Sequence, residues 1–492
     1  MARRANEDET TQGRALLSRR RTVLQAGIAL AATGLAGCPK PLPVAPTGEY
    51  TDRVITLNGK KVYVRRRLSA WTGQDYSAYR KAVQVMQARP VSDPTSWLFQ
   101  ANIHGAPPAD GPNDAWRKCP HGTADFLTWH RMYLYFWERI VRKAAGDPDF
   151  SIGHWRYESD NATSLALPEG FRTPTTDNPL FVANRSAAMN GGSTMPPSAV
   201  LATTALAESV LLPPPFPGFA EAIETSPHNN VHVQVSGLMG SVPTAARDPI
   251  FWTHHANIDR YWSRWLDNAA HTNPTSGPFL TTVFQFFDEN GAQVTMTGAD
   301  VLRTLDQLEY KYDDDPVAPS ARAPSVSSAV MTTPPQPRLL ATGPTPRFEL
   351  AGDSRSYRVD LPPAAATEIR RSLTAPAPQR IVLNLDDPAV NGVPDTSYEV
   401  YVNLPPGAQN VDYKSPHFAG TFSFFGMEPG HAHGRKISLN LTEALARLER
   451  GGGLDLTRIQ VTFVAVQAGV KAGAPVRTQV TSSFGKLSLT AE

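Results

Sequence analysis

A chain of 492 residues exceeds one ordinary domain, so two domains with appendages is the starting expectation. A formal net charge of +2 with 19% charged residues argues against a dominant nucleic-acid role, which needs a concentrated basic face, and favours a small or neutral partner. The 44 prolines gather in a few stretches between segments of regular pattern, and long loops are expected there.

Ser18, Arg19, Arg20, Arg21, Thr22, Val23 and Leu24 read as a twin-arginine motif, and the apolar run from Ala26 to Ala36 is too short to span a membrane comfortably. The run ends in Leu35–Cys38, which resembles the bacterial lipobox, whose Cys is acylated; simple cleavage near Ala36 without lipid is the plainer alternative. Residues 1–38 are therefore expected to direct export by the twin-arginine route, with a lipid anchor on Cys38 holding the protein to a membrane on the periplasmic side or at the cell surface. Cys38 and Cys119 are the only cysteines. With Cys38 acylated or removed, Cys119 stands alone in an oxidising compartment and should have a function or be deeply buried.

Beyond a Pro-rich lead, Arg53 to Val64 read as a β-hairpin turning at Asn58 and Gly59. Helical patterning dominates from about residue 75 to 312. Thr128 to Asp147 carries apolar and aromatic residues at helical spacing before a Gly-Asp-Pro stop. Asp248 and Pro249 open a second aromatic helix, with Asp suited to the N-cap and Pro to the first helical position. From Asp313 to about Arg338 the chain is rich in Pro, Ala and Ser, which reads as a linker. Short β-type runs punctuated by Gly, Pro and Asn come next and read as a small β-sandwich.

The twelve histidines are unevenly placed. His228 and His232 lie four apart, so both rings fall on one face of a helix, and His255 comes after them on the Asp-Pro-capped helix. His104, His121 and His130 make a second trio, and two matched trios suggest two metal ions. All-imidazole coordination suits Cu, Zn, Fe or Ni, and spacing alone does not choose; a three-His zinc site with bound water is the plain alternative. His431 and His433 form a His-x-His in a Gly-rich turn, where a solvated hairpin tip is the plainer reading than copper capture.

The stretches CPHGTADFLTWHRMYLYFWERI, PHNNVHVQVSG and RDPIFWTHHANIDRYWSRW closely resemble the two copper regions of tyrosinases, catechol oxidases and molluscan hemocyanins. The resemblance implies a mainly α catalytic domain, residues 39–312, with a four-helix bundle around a dinuclear type 3 copper centre. His104, His121 and His130 would hold one ion and His228, His232 and His255 the other, with His254 a hydrogen-bonding neighbour. It implies O₂ and a small phenol as reactants, oxidation of o-diphenols to o-quinones, and ortho-hydroxylation of monophenols as an activity left open. A copper-delivery partner is one way to load the ions, since the twin-arginine route moves folded proteins.

The segments YEVYVNLP, FAGTFSFFG and IQVTFVAV resemble the C-terminal domain of plant polyphenol oxidases, which covers the copper site in a latent precursor; residues 339–492 would be an antiparallel β-sandwich of that kind. Cys119 stands two residues before His121, the arrangement that in fungal tyrosinases and molluscan hemocyanins forms a Cys-His thioether; a buried free thiol is the alternative. Glu224 and Asn229 match a Glu and an Asn that orient a water for phenol deprotonation, against a solvated Glu at a helix entry. Val233 would line the approach to the coppers, and Val242, where many plant enzymes have a bulky Phe, would widen it. His154 replaces an aromatic residue of the P-Y/F-W-x-W pattern and is not read as a ligand. Tyr310 and Tyr312 resemble a paired-tyrosine motif closing the catalytic domain, with packing as their role. A reversible O₂ carrier of hemocyanin type, or a zinc or copper shell without redox chemistry, are the competing readings.

Overall fold

The β-hairpin forms as Val54–Leu57 (β1) and Lys60–Arg65 (β2), antiparallel, with Asn58 and Gly59 both at positive φ (51° and 77°) as a two-residue turn requires. The computed structural model describes residues 50–158, 161–208, 211, 218–316, 337–343, 347–375, 379–408, 411–427, 436–471, 474, 476–478 and 480–492. The twin-arginine segment, Cys38, His431 and His433 lie outside them. No helix among the described residues is long and apolar enough to cross a membrane.

Gly73–Gln87 (α1) starts in a capping box between Thr72 and Asp75 and buries Tyr79, Ala82, Val83 and Met86 along one face. Trp97–His104 (α2) is capped by Ser96. Phe126–Ala145 (α3) stops where Gly146 takes the left-handed conformation. Asn229–Val235 (α4) is short, and Pro249–Trp265 (α5) begins with the Asp248 carboxylate accepting from the Ile250 N–H. Trp137 of α3 stacks on Trp252 of α5 with centroids 4.0 Å apart and planes 5° apart, fixing the distance between the two long helices. The Val283–Phe287 (β3) and Gln293–Thr297 (β4) hairpin was hidden within the stretch read as helical.

The last strand of this body, Tyr310–Tyr312 (β5), runs parallel to β2. It delivers both tyrosines to Asp259 of α5, whose Oδ2 accepts from Tyr310 at 2.5 Å and Tyr312 at 2.6 Å. Arg65 and Arg131, both buried, pair with the same carboxylate, and Arg65 also reaches Glu138 of α3. Removing one partner of such a buried network typically costs about 3–5 kcal/mol, so the paired tyrosines close the body by charge and hydrogen bonding as well as packing. The expected linker starts too early. Asp313 is tied to Arg67 and His154, Asp314 to Arg260 and Asp315 to Arg264, so the helical body runs through Asp315. Composition marks the stretch as linker because the cationic partners of these carboxylates lie far away in sequence.

The C-terminal part is built around two four-stranded antiparallel sheets. One combines Arg338–Thr342 (β6), Ile381–Asp386 (β9), Lys436–Asn440 (β13) and Lys486–Ala491 (β16). The other combines Arg355–Asp360 (β8), Ser397–Val402 (β11), Phe418–Ser423 (β12) and Arg458–Val466 (β14). A smaller antiparallel sheet of Phe348–Leu350 (β7), Ala389–Val390 (β10) and Ser482–Phe484 (β15) completes this part. Val359, Val400, Phe422 and Phe463 of the β11 sheet share one apolar core with Leu383, Leu385, Leu439 and Leu487 of the β9 sheet. The opposite face of the β11 sheet is hydroxyl-rich and buried, carrying Ser397, Thr421, Ser423 and Thr462. That face lies on the helical body: Gln234 donates to Ser397 Oγ and to the Val466 carbonyl, each at 3.1 Å, and Asn230 donates to the Thr421 carbonyl. Both parts belong to one compact unit, Thr47–Glu492.

Candidate metal centre

Four segments bring seven histidines and one cysteine together. His104 ends α2, at Gly105, where a Cβ would run into the Val242 carbonyl; the glycine lets the chain at 242 approach closely enough for that carbonyl to accept from His104 Nδ1 at 3.1 Å. His130 sits one turn into α3 and its Nδ1 meets the Phe126 carbonyl at 2.8 Å. His228 precedes α4 rather than lying within it, because Ser226 breaks the helix with φ −151° and ψ 126°; His228 itself keeps helical dihedrals, so its ring still falls 4.6 Å from that of His232. His228 Nδ1 meets Asn229 Oδ1 at 2.8 Å, and His232 Nδ1 meets the Met239 carbonyl at 2.8 Å. His255 lies on α5.

Ligand atoms of His104, Cys119, His121 and His130 lie within 4.8 Å of one another, and so do those of His228, His232, His254 and His255. The His130 and His255 rings stack at 4.2 Å and 10°, which sets the two groups face to face. The six ligands expected from the sequence are thus all brought together. His254, read there as a neighbour, stands within the second group; adjacency to His255 was its only signal.

The donor set fits a pair of copper ions. Carbonyl and amide oxygens only accept, so the Nδ1 of His104, His130, His228 and His232 must carry hydrogen, and the lone pair sits on Nε2. In His104, His228 and His232 that Nε2 is buried with no hydrogen-bond partner, a costly arrangement unless a metal takes it. Burial pushes His104 and His228 down to about 3, and carries His130, His232 and His255 well below the usual imidazole value, so all are neutral near pH 7.

Among the described residues Cys119 is in no disulfide; its Sγ lies 3.6 Å from His121 Nε2 and 3.4 Å from His130 Nε2. Glu224 is buried, and both carboxylate oxygens accept from the Gly122 N–H, at 2.8 and 3.0 Å, beside the loop that carries His121. It is not a solvated helix-entry residue. Val233 and Val242 are both buried, so neither borders open solvent. His154 is buried against Asp313 at 2.9 Å and belongs to neither group of ligands.

One residue over the site was not legible at all. Phe425, just beyond β12, packs with the core of the helical body, 1% exposed. Its ring stacks on His232 at 4.1 Å and 13°, with His228 at 5.8 Å and His121 at 6.0 Å. The ring therefore touches histidines of both groups.

The chain matches the common central domain of tyrosinase over residues 94–200 and 184–268, the polyphenol oxidase middle domain over 273–325, and a domain of unknown function (DUF7868) over 340–482. A tyrosinase of Hahella sp. is 27% identical over 79% of this chain and 92% of its own length. The chloroplastic polyphenol oxidase of Vitis vinifera is 28% identical over 94% of this chain and 86% of its own; that of Spinacia oleracea is 30% identical over 56% and 51%. Among solved structures, latent apple tyrosinase superposes with a TM-score of 0.60 at 22% identity, covering 92% of this chain and 99% of its own. A latent aurone synthase gives 0.59 at 21%, over 91% and 92%. At that identity the structures speak for the fold alone, helical and β parts together.

Proposed function

The chain belongs to the tyrosinase and polyphenol oxidase family of type 3 copper enzymes, and from that premise we propose that it oxidises o-diphenols to o-quinones with O₂, and hydroxylates monophenols as a second activity. Its cofactor is a pair of copper ions, held by His104, His121 and His130 on one side and His228, His232 and His255 on the other. When bound, the pair supplies the redox chemistry by which O₂ takes electrons from the phenol. Each diphenol gives up two electrons and two protons, so two diphenols reduce one O₂ to water.

The protein's own residues do the rest. The protein oxygens on Nδ1 hold four of the rings in the ligating tautomer. Glu224 takes the phenol proton through a water shared with Asn229, a reading supported by its burial and its hold on the Gly122 N–H beside the His121 loop. The closeness of Cys119 to His121 supports a thioether between them, which would hold a loop-borne ring still. We read α2 to α5 as a four-helix bundle and the two larger C-terminal sheets as a sandwich that lids it. The N-terminal motif supports twin-arginine export with a lipid anchor on Cys38. The carrier reading is set aside, since the relatives matched are named as oxidases and hydroxylases.

The observation that carries the reading of a latent enzyme is Phe425 against His232. O₂ uptake with a monophenol and with catechol, on the full chain before and after limited proteolysis within residues 317–336, tests it. Uptake is expected to be low before cleavage and to rise after it. Protein holding two coppers per chain that consumes no O₂ with catechol, cut or uncut, would refute the enzyme reading.

A further inference from the structure

The second group offers four imidazoles where one copper of this site takes three, and two of them, His254 and His255, are neighbours on α5. Something has to decide between them. Backbone and amide oxygens meet the Nδ1 of His228 and His232, so those rings keep an Nε2 lone pair for metal. The Nδ1 of His254 instead meets the hydroxyl of Tyr157, at 2.9 Å.

The polarity of that contact is reversed. Tyr157 is buried, and a buried phenol has one proton to place. The Asn257 side chain also hydrogen-bonds this hydroxyl; its Oδ1 accepts from Arg260, so its amide faces the phenol as a donor, and the phenol's own proton goes to His254 Nδ1. The ring's remaining proton must then sit on Nε2. One nitrogen's lone pair is engaged by the phenol and the other nitrogen is an N–H, so neither is free for a metal. That Nε2–H is itself buried without a hydrogen-bond partner, as are both nitrogens of His255, but only His255 keeps a lone pair that nothing else engages. Tyr157 is itself well held: its backbone carbonyl accepts from the Tyr261 hydroxyl at 3.4 Å, and its ring packs edge-on to Trp155.

We propose that Tyr157 is a positioning residue that selects the copper ligand: its hydrogen bond removes His254 from the copper shell and leaves His255 as the third ligand. The inference rests on the copper reading above. Removing the hydroxyl frees the His254 lone pair, and a nitrogen already within 4.8 Å of the other ligand atoms can then replace a missing His255.

Copper per chain after loading and desalting tests this, on the full chain. His255→Ala is expected to keep the ion held by His104, His121 and His130 and lose the other. Tyr157→Phe with His255→Ala is expected to regain the second ion, bound about tenfold or more tightly than by His255→Ala alone. If His255→Ala holds two coppers, His254 was a ligand already and the proposal is wrong. If the double variant stays at one, Tyr157 does not control His254, and the proposal is equally wrong. Should His255→Ala not fold, Tyr157→Phe alone decides: a changed nitrogen hyperfine pattern in the half-reduced copper pair is expected, and an unchanged pattern beside a lowered Tm would make Tyr157 merely structural. A wild-type chain that binds fewer than two coppers overturns the metal reading itself, and this inference with it.

Discussion

Replacing Phe425 by Ala in the full chain takes away the aromatic ring that closes the metal centre. The ring is 1% exposed and lies flat on His232. Truncating a buried Phe to Ala costs about 3–5 kcal/mol, from lost transfer free energy and the cavity left behind. The ring's contacts are with the helical body, so this loss falls on closure of the lid and only weakly on the β core. At a tenfold change per 1.4 kcal/mol, even about 3 kcal/mol raises the open fraction on the order of 100-fold. Initial rates of catechol-dependent O₂ uptake by uncut chain, normalised to copper, measure this directly. Phe425→Ala is expected to bring the uncut chain close to the rate of the cleaved one, while Phe425→Trp stays latent. If Phe425→Ala, with two coppers bound, is no more active uncut than wild type and still gains fully on cleavage, then the ring is not the plug and closure is carried elsewhere in the seam.

Glu224→Gln removes the proposed proton acceptor and is expected to slow monophenol hydroxylation about 10²-fold and diphenol oxidation much less, read as the ratio of the two initial rates. The peptide holding Cys119 and His121 from copper-loaded protein is expected to be lighter by two hydrogen atoms than its sequence mass, and Cys119→Ser to show no such deficit by mass spectrometry. Burial alone would raise the Asp313 carboxyl, but His154 and Arg67 outweigh it and hold the group well below the usual carboxylate range. A depressed carboxylate contributes stability above the unfolded value near 3.9, lost as pH falls through the folded one. Asp313→Asn is therefore expected to lower Tm at neutral pH and to flatten its decline below about pH 4, monitored by circular dichroism. Removing copper by chelation is expected to lower Tm, since the metals bind the folded chain, and re-adding copper to restore it.

The parts of the fold legible in the sequence were those with local causes. The Asn58-Gly59 turn, the Asp248-Pro249 cap and the 3.6-residue rhythm of α3 are set by neighbours in the chain. The clustered histidines were legible through the four-residue spacing of His228 and His232 and, for the rest, through the resemblance of their flanking stretches to copper regions. What stayed hidden is long-range: Asp313–Asp315 read as linker because Arg67, Arg260 and Arg264 lie far back in sequence. Phe425 is one of many phenylalanines in β-type runs, and nothing near it points to His232. The Val242 side chain was singled out, yet it is its carbonyl that holds His104, and main-chain acceptors leave no mark in a sequence.

Once the two bodies part, the hydroxyl-rich face of the β11 sheet meets water. Ser397 and Thr462 on one side, and Asn230 and Gln234 on the other, can each exchange their present partners for water at little net cost, and the buried, unpartnered hydroxyls of Thr421 and Ser423 gain one. Tyr401 and Val466 share that face, so with the Phe425 ring they add an apolar share to what water meets. A severed β body that keeps its own core would still carry this face and so compete for the mouth of the copper site, inhibiting in trans at high concentration and diluted away at low.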